Sequence, residues 1–147
     1  MRTRMHAGSR GFTFLELLVT IAFLGVLVAI AIPAYTNYTR DARRGEAQAS
    51  LEEAATRMEQ YFSANSKYTI TLTSLGYAAA NVSSADGHYT LTAALGKKSD
   101  GSDDDTQFTV TATAGNEEFD PACTELTLNS LGVRGHKGTA ESADICW

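Results

Sequence analysis

Residues 12–32 are 21 positions in a row that are apolar except for Thr13, Glu16, Thr20 and Gly25. About 20 such residues suffice to cross a bilayer as a helix. Inside hydrocarbon a single segment satisfies its backbone polar groups only by being helical. The run therefore predicts a long apolar helix. Arg2, Arg4, Arg10 and His6 precede it without any acid, and the next basic residue after it is Arg40. That asymmetry orients the N-terminus toward the cytoplasm.

Three readings of this segment compete. In the first it is a secretory signal, because Ala29-Ile30-Ala31 imitates an A-x-A cleavage site. Against this, Glu16 stands near the start of the run, and the helical pattern continues past Pro33 to Tyr35 and Tyr38. The second is a plain single-pass anchor. The third gives Glu16 a task. A carboxylate within an apolar span costs a few kcal/mol and is usually kept for a function with a partner.

The rest of the chain is a modest domain rich in Thr, Ala, Gly and Ser. Of 147 residues, 12 are basic and 17 acidic; without the first eleven residues the balance is 9 against 17. Such an acidic domain repels nucleic acid and anionic membrane at long range, so DNA binding needs a local basic patch. Cys123 and Cys146 lack the spacing of a zinc knuckle or a redox pair. They are either two reduced core thiols or one disulfide, which would imply an oxidising compartment and stabilise by roughly 3 kcal/mol.

The stretch Gly11-Phe12-Thr13-Phe14-Leu15-Glu16-Leu17-Leu18 resembles the prepilin signature of class IVa type IV pilins and related pseudopilins. The resemblance implies a pilin fold. It also implies cleavage between Gly11 and Phe12 by a prepilin peptidase, N-methylation of Phe12 by the same enzyme, and retention of the apolar helix. Glu16 becomes an assembly residue whose carboxylate meets the new α-amino group of Phe12 on a neighbouring subunit. Each charge would compensate the other's desolvation, fixing register more than adding stability. Gly25 and Pro33 weaken or kink the helix, and by family likeness the stretch between them melts in a filament.

Four segments follow: a leader at 1–11, a transmembrane and filament-core helix at 12–34, an amphipathic helix at 35–65, and a β-sheet head with a C-terminal disulfide region at 66–147. The amphipathic reading rests on Tyr35, Tyr38, Ala42, Ala47, Leu51, Ala54, Met58, Tyr61 and Phe62, mostly three or four apart. A helix end is expected near Ser63 to Asn65. Residues 68–77 read as an irregular or briefly extended connection. Period-two alternation predicts half-buried antiparallel strands at 88–95, 107–113 and 124–128. The expected fold is α+β, one long helix against a small antiparallel sheet.

Tyr61-Phe62, Tyr68, Leu75-Gly76, the strand at Phe108, Asp120-Pro-Ala-Cys123, Leu126-Thr-Leu-Asn129, Gly132 and Cys146-Trp147 also resemble PilE-type minor pilins, a group that includes DNA-uptake receptors. This likeness implies a Cys123–Cys146 disulfide.

The acids Asp100, Asp103, Asp104 and Asp105 do not fit the order of an EF-hand loop, and 96–106 reads as a solvated hairpin loop. Lys97, Lys98, Arg134 and Lys137, joined by His136, are candidate contacts to DNA phosphates if they converge. Arg40, Arg43 and Arg44 suit a solvated face or a neighbouring subunit's acids better than lipid. His6, His88 and His136 are scattered, and no catalytic, cofactor or metal-ligand run appears.

The function expected is therefore that of a structural minor pilin and not of an enzyme, with the filament serving adhesion and twitching motility. The alternatives are a pilin-like DNA receptor for competence and a type II secretion pseudopilin. The expected partners are other pilin subunits, the prepilin peptidase and N-methyltransferase, and the inner-membrane pilus assembly platform. The chain would sit in the inner membrane of a Gram-negative bacterium with its head in the periplasm, then in a pilus at the cell surface.

Overall fold

The computed structural model describes residues 12–147. Gly11, and with it one side of the expected cleavage site, lies outside them. Helix α1 spans Phe14–Asn65. Thr13 starts it: its Oγ1 accepts the backbone N–H of Glu16 at 3.2 Å, the first half of a Thr-x-x-Glu capping box. Glu16 thus occupies the first turn, where the helix dipole favours a negative charge. The helix stops at Asn65. Ser66 takes the left-handed conformation (φ 56°), and its N–H returns to the Phe62 carbonyl at 2.7 Å.

The described chain divides into two compact units, the first ending at Tyr38 and the second spanning Thr39–Trp147. In the described part of the first, the apolar side chains face outward: Phe14 is 77% exposed and Leu27 62%. This stretch is long and apolar enough to cross a membrane. Helical assignment continues through Gly25 and Pro33, so neither residue breaks the helix here. Pro33 cannot donate to the Ala29 carbonyl, while Thr36 Oγ1 adds a hydrogen bond to the Ile32 carbonyl at 3.0 Å.

In the second unit, Ala47, Leu51, Ala54 and Met58 are fully buried on one helical face. The expected stripe extended further back, but Tyr35, Tyr38 and Ala42 are exposed. The stripe that meets the head begins only at Ala47.

Five antiparallel strands make one sheet in the order β1-β2-β3-β4-β5: β1 Val82–Ser83, β2 Tyr89–Lys97, β3 Asp103–Ala114, β4 Glu125–Asn129 and β5 Arg134–Lys137. Leu91 pairs with Ala112, which pairs with Leu126; Ala93 pairs with Val110, which pairs with Leu128. These rows turn their side chains to the helix, and the intervening threonines turn away. Phe108 closes the far end of the core with Tyr68 edge-on at 4.7 Å and Phe62 beyond it. Tyr68 donates its hydroxyl to Glu59 at 2.9 Å. Burial, reinforced by that bond, pushes the phenol up to about 12.

Two expectations need correction. Residues 103–106 are not loop: β3 begins at Asp103, which pairs with Lys97, and a register shift follows between Leu95 and Gly96. A Cβ on Gly96 would stand 2.8 Å from the Gln107 Cβ, so a glycine allows this close crossing. The connection at 68–77 contains a 3-10 turn, Leu72–Leu75, capped by Gly76 at φ 84°.

Candidate functional site

Two regions carry the residues that the sequence singles out. The first is the start of α1, where Phe12 and Glu16 are both exposed. Capping by Thr13 holds the backbone of Glu16 and leaves its carboxylate at the helix surface, within an apolar neighbourhood. That is the arrangement a partner charge can use.

The second region lies where α1 meets the C-terminal part of the head. Cys123 and Cys146 are joined in a disulfide, with Cα atoms 5.7 Å apart, and both are buried. Just before Cys123, the Asp120 carboxylate receives Arg44 through two bonds, Nε to Oδ2 at 2.6 Å and the second guanidinium nitrogen to Oδ1 at 2.9 Å. Burial alone would raise the Asp120 carboxyl, but Arg44's hydrogen bond and charge outweigh it and hold it below the usual range. Arg44 also donates to the Ile145 carbonyl at 2.9 Å, and Gln48 donates to that of Cys146 at 3.0 Å. Arg43 lays its guanidinium 3.7 Å above the Phe119 ring, and Arg40 donates to the Phe119 carbonyl at 2.7 Å. The three arginines after the apolar run therefore grip the loop before the disulfide. Their sequence spacing shows the shared face but not the partner.

The candidate DNA contacts do not converge. Lys137 is opposite Glu125, Glu125 opposite Thr113 and Thr113 opposite Thr90; Lys97 lies seven residues from Thr90 along β2. With about 3.4 Å per residue and 4.8 Å per strand, Lys97 and Lys137 are roughly 25–30 Å apart. Three of the four are also paired. Lys97 binds Asp103, Lys137 binds Glu125 at 2.7 Å, and Arg134 meets Glu52 at 3.3 Å while lying 4.8 Å over the Trp147 ring. Trp147 in turn donates its indole N–H to the Gly135 carbonyl at 2.9 Å.

One cluster escaped sequence reasoning. The turn between β1 and β2 brings Asp86 and His88 against Glu46 of α1. His88 Nδ1 is 2.8 Å from Glu46 Oε2, and the Asp86 N–H donates to Glu46 Oε1 at 2.7 Å. Burial pushes the Glu46 carboxyl up, but hydrogen bonds from Ser84, His88 and Asp86 together leave it below its ordinary value. More than 35 residues separate Glu46 from the other two, so no short motif could announce the group.

A long N-terminal helix with an exposed apolar first part, a small antiparallel sheet on its second part and a C-terminal disulfide define a type IV pilin. Residues 33–127 match the family model described as "Type IV minor pilin ComP, DNA uptake sequence receptor". The match covers more than half of the chain, and the chain belongs to that family. It is 32% identical over 76 residues to the type IV major pilin PilA of Myxococcus xanthus, covering 52% of this chain and 34% of that protein. It is 36% identical over 74 residues to the major pilin PilE1 of Neisseria gonorrhoeae, covering 50% and 45%. To the fimbrial protein EcpC of Eikenella corrodens it is 27% identical over 142 residues, covering 94% and 80%. The chain thus spans less than half the length of the first two of these relatives. A solved type IV pilin from Shewanella oneidensis aligns with a TM-score of 0.45 at 26% identity, over 65% of this chain and 89% of that one.

Proposed function

We propose that the chain is a structural minor pilin subunit, anchored by its apolar helix in the inner membrane and then assembled into a type IV pilus serving adhesion and twitching motility. The observation that carries this reading is the exposed apolar surface of the first part of α1, interrupted by Glu16 in its first turn. An apolar surface of that length needs lipid or neighbouring helices as its surroundings. On this reading a prepilin peptidase cuts between Gly11 and Phe12 and methylates Phe12. Glu16 then meets the α-amino group of a neighbour's Phe12, while Gly25 and Pro33 allow the stretch between them to melt on assembly. The partners are other pilins and an inner-membrane assembly platform, and the head occupies the periplasm of a Gram-negative cell before display. Membership of a minor-pilin family supports the pilus over a type II secretion pseudopilus. The test is the intact mass of the protein from sheared filaments. A mature chain beginning with N-methylated Phe12 is expected, and a chain cut after Ala31 contradicts it.

A second reading, a receptor for DNA in natural competence, is favoured by the family description. The acid partners of Lys97, Arg134 and Lys137 weigh against a patch built from them. If the head nonetheless grips DNA phosphates, affinity falls steeply as salt rises. Titration of fluorescent duplex DNA into the full chain at two salt concentrations distinguishes the readings: a salt-dependent isotherm supports the receptor, and no binding at low salt removes it.

A further inference from the structure

We propose that Glu46, Asp86 and His88 form a binding site for a divalent transition-metal ion of the Zn²⁺ type, joining helix α1 to the turn between β1 and β2. Each residue offers one ligand atom, and the three atoms lie within 4.8 Å of one another. His88 Nδ1 and Glu46 Oε2 are 2.8 Å apart. Two ligands about 2.0–2.1 Å from a tetrahedral zinc ion are separated by about 3.3–3.4 Å, so this pair shares an ion by opening roughly half an ångström as the proton between them leaves. An imidazole with two carboxylates selects Zn²⁺ and its first-row neighbours over Mg²⁺ and Ca²⁺, which prefer oxygen alone.

The site is built as well as composed. The Glu46 side chain is only 10% exposed. Its Oε1 is fixed by the Asp86 N–H at 2.7 Å, which leaves Oε2 aimed at His88. Such outer bonds orient a ligating carboxylate. The turn itself is closed by the Gly87 N–H on the Ser84 carbonyl and by the Tyr89 N–H on the Ser84 hydroxyl. An open cavity of about 220 Å³ adjoins the three side chains, with room for the waters that complete a three-ligand site. Arg43 borders the same cavity, but its guanidinium is held over the Phe119 ring. An ion here would cross-link segments 40 residues apart, so binding would raise the stability of the head.

The experiment uses the untagged full chain in detergent, with Zn²⁺ and Co²⁺ as probes. Zn²⁺ is expected to raise the Tm reversibly with EDTA, and Co²⁺ to give visible d–d bands. His88→Gln should weaken Zn²⁺ binding at least tenfold in calorimetry, and His136→Gln should leave it unchanged. Because Glu46→Gln also removes turn contacts, the exposed Asp86→Asn is the second variant, expected to keep the metal-free Tm and bind several-fold more weakly. No Zn²⁺-dependent shift in the wild type, or wild-type affinity in His88→Gln, overturns the proposal.

Discussion

Arg44 and Asp120, 76 residues apart, meet in a two-point ion pair at 2.6 and 2.9 Å, with side chains only 14% and 6% exposed. Asp120 opens the short loop to Cys123, and its carbonyl accepts the Cys123 N–H at 3.2 Å. The pair therefore fixes the helix to the disulfide region at the point where the chain turns back into the sheet.

Removing one partner of a buried pair costs about 3–5 kcal/mol when the other is left uncompensated. Arg44 keeps Asp41 at 3.6 Å and the Ile145 carbonyl at 2.9 Å, which brings the cost to about 2–3 kcal/mol. Asp120→Asn should therefore lower the stability of the head by about that amount at neutral pH. The Asp120 carboxyl lies below its ordinary value in the folded state, so its contribution is present above the unfolded value near 4 and is lost as pH falls through the folded value. Wild type and Asp120→Asn should accordingly converge in Tm under strongly acid conditions. A constant difference from pH 7 to pH 2 contradicts this account of the pair.

The disulfide makes a separate contribution. It closes a loop of 23 residues in sequence, which corresponds to about 3 kcal/mol in the chain-entropy model. The double variant Cys123→Ala with Cys146→Ala should unfold at a correspondingly lower urea concentration. The same loss should follow reduction of the wild type with dithiothreitol.

Gly138 allows the segment after β5 to run beside Ala122. It sits at φ 131°, and a Cβ there would strike the Ala122 carbonyl oxygen and stand 2.6 Å from its carbon. Gly87 has φ 77° with open space around its missing Cβ. Gly138→Ala should cost about 2 kcal/mol or more through the added clash, and Gly87→Ala only about 1 kcal/mol from the backbone. Thermal unfolding of the two variants checks the ranking.

Gly25 has nothing within 4 Å of the position a Cβ would take, and Ala there favours helix by about 1 kcal/mol. If residues 25–33 melt in the filament, Gly25→Ala should slow hydrogen exchange of that stretch in purified filaments. Equal exchange in wild type and variant contradicts melting.

Legibility in the sequence followed the strength of local pattern. Helix α1 was readable as one long helix with its end expected near Ser63 to Asn65, because apolar content and then the spacing of Ala47, Leu51, Ala54 and Met58 mark it. Strands β2, β3 and β4 were readable from alternating Thr with Tyr, Leu, Phe and Val. Strand β5, Arg134–Lys137, was not: it has no apolar alternation and is held by pairing to β4 and by Trp147 on Gly135. The start of β3 was missed because Asp103 to Asp105 look like a turn, although Lys97 opposite neutralises one of them. The grip of Arg43 and Arg44 on Phe119 and Asp120 and the cluster at Glu46 depend on contacts across the fold, which no local period encodes.

Glu16, in the first turn of an apolar helix, is proposed to serve assembly. The most direct test of that role is the share of Glu16→Ala protein in sheared filaments against the share left in the membrane fraction. A processed, membrane-inserted variant that is nearly absent from filaments is expected. Incorporation at the wild-type level would contradict the role.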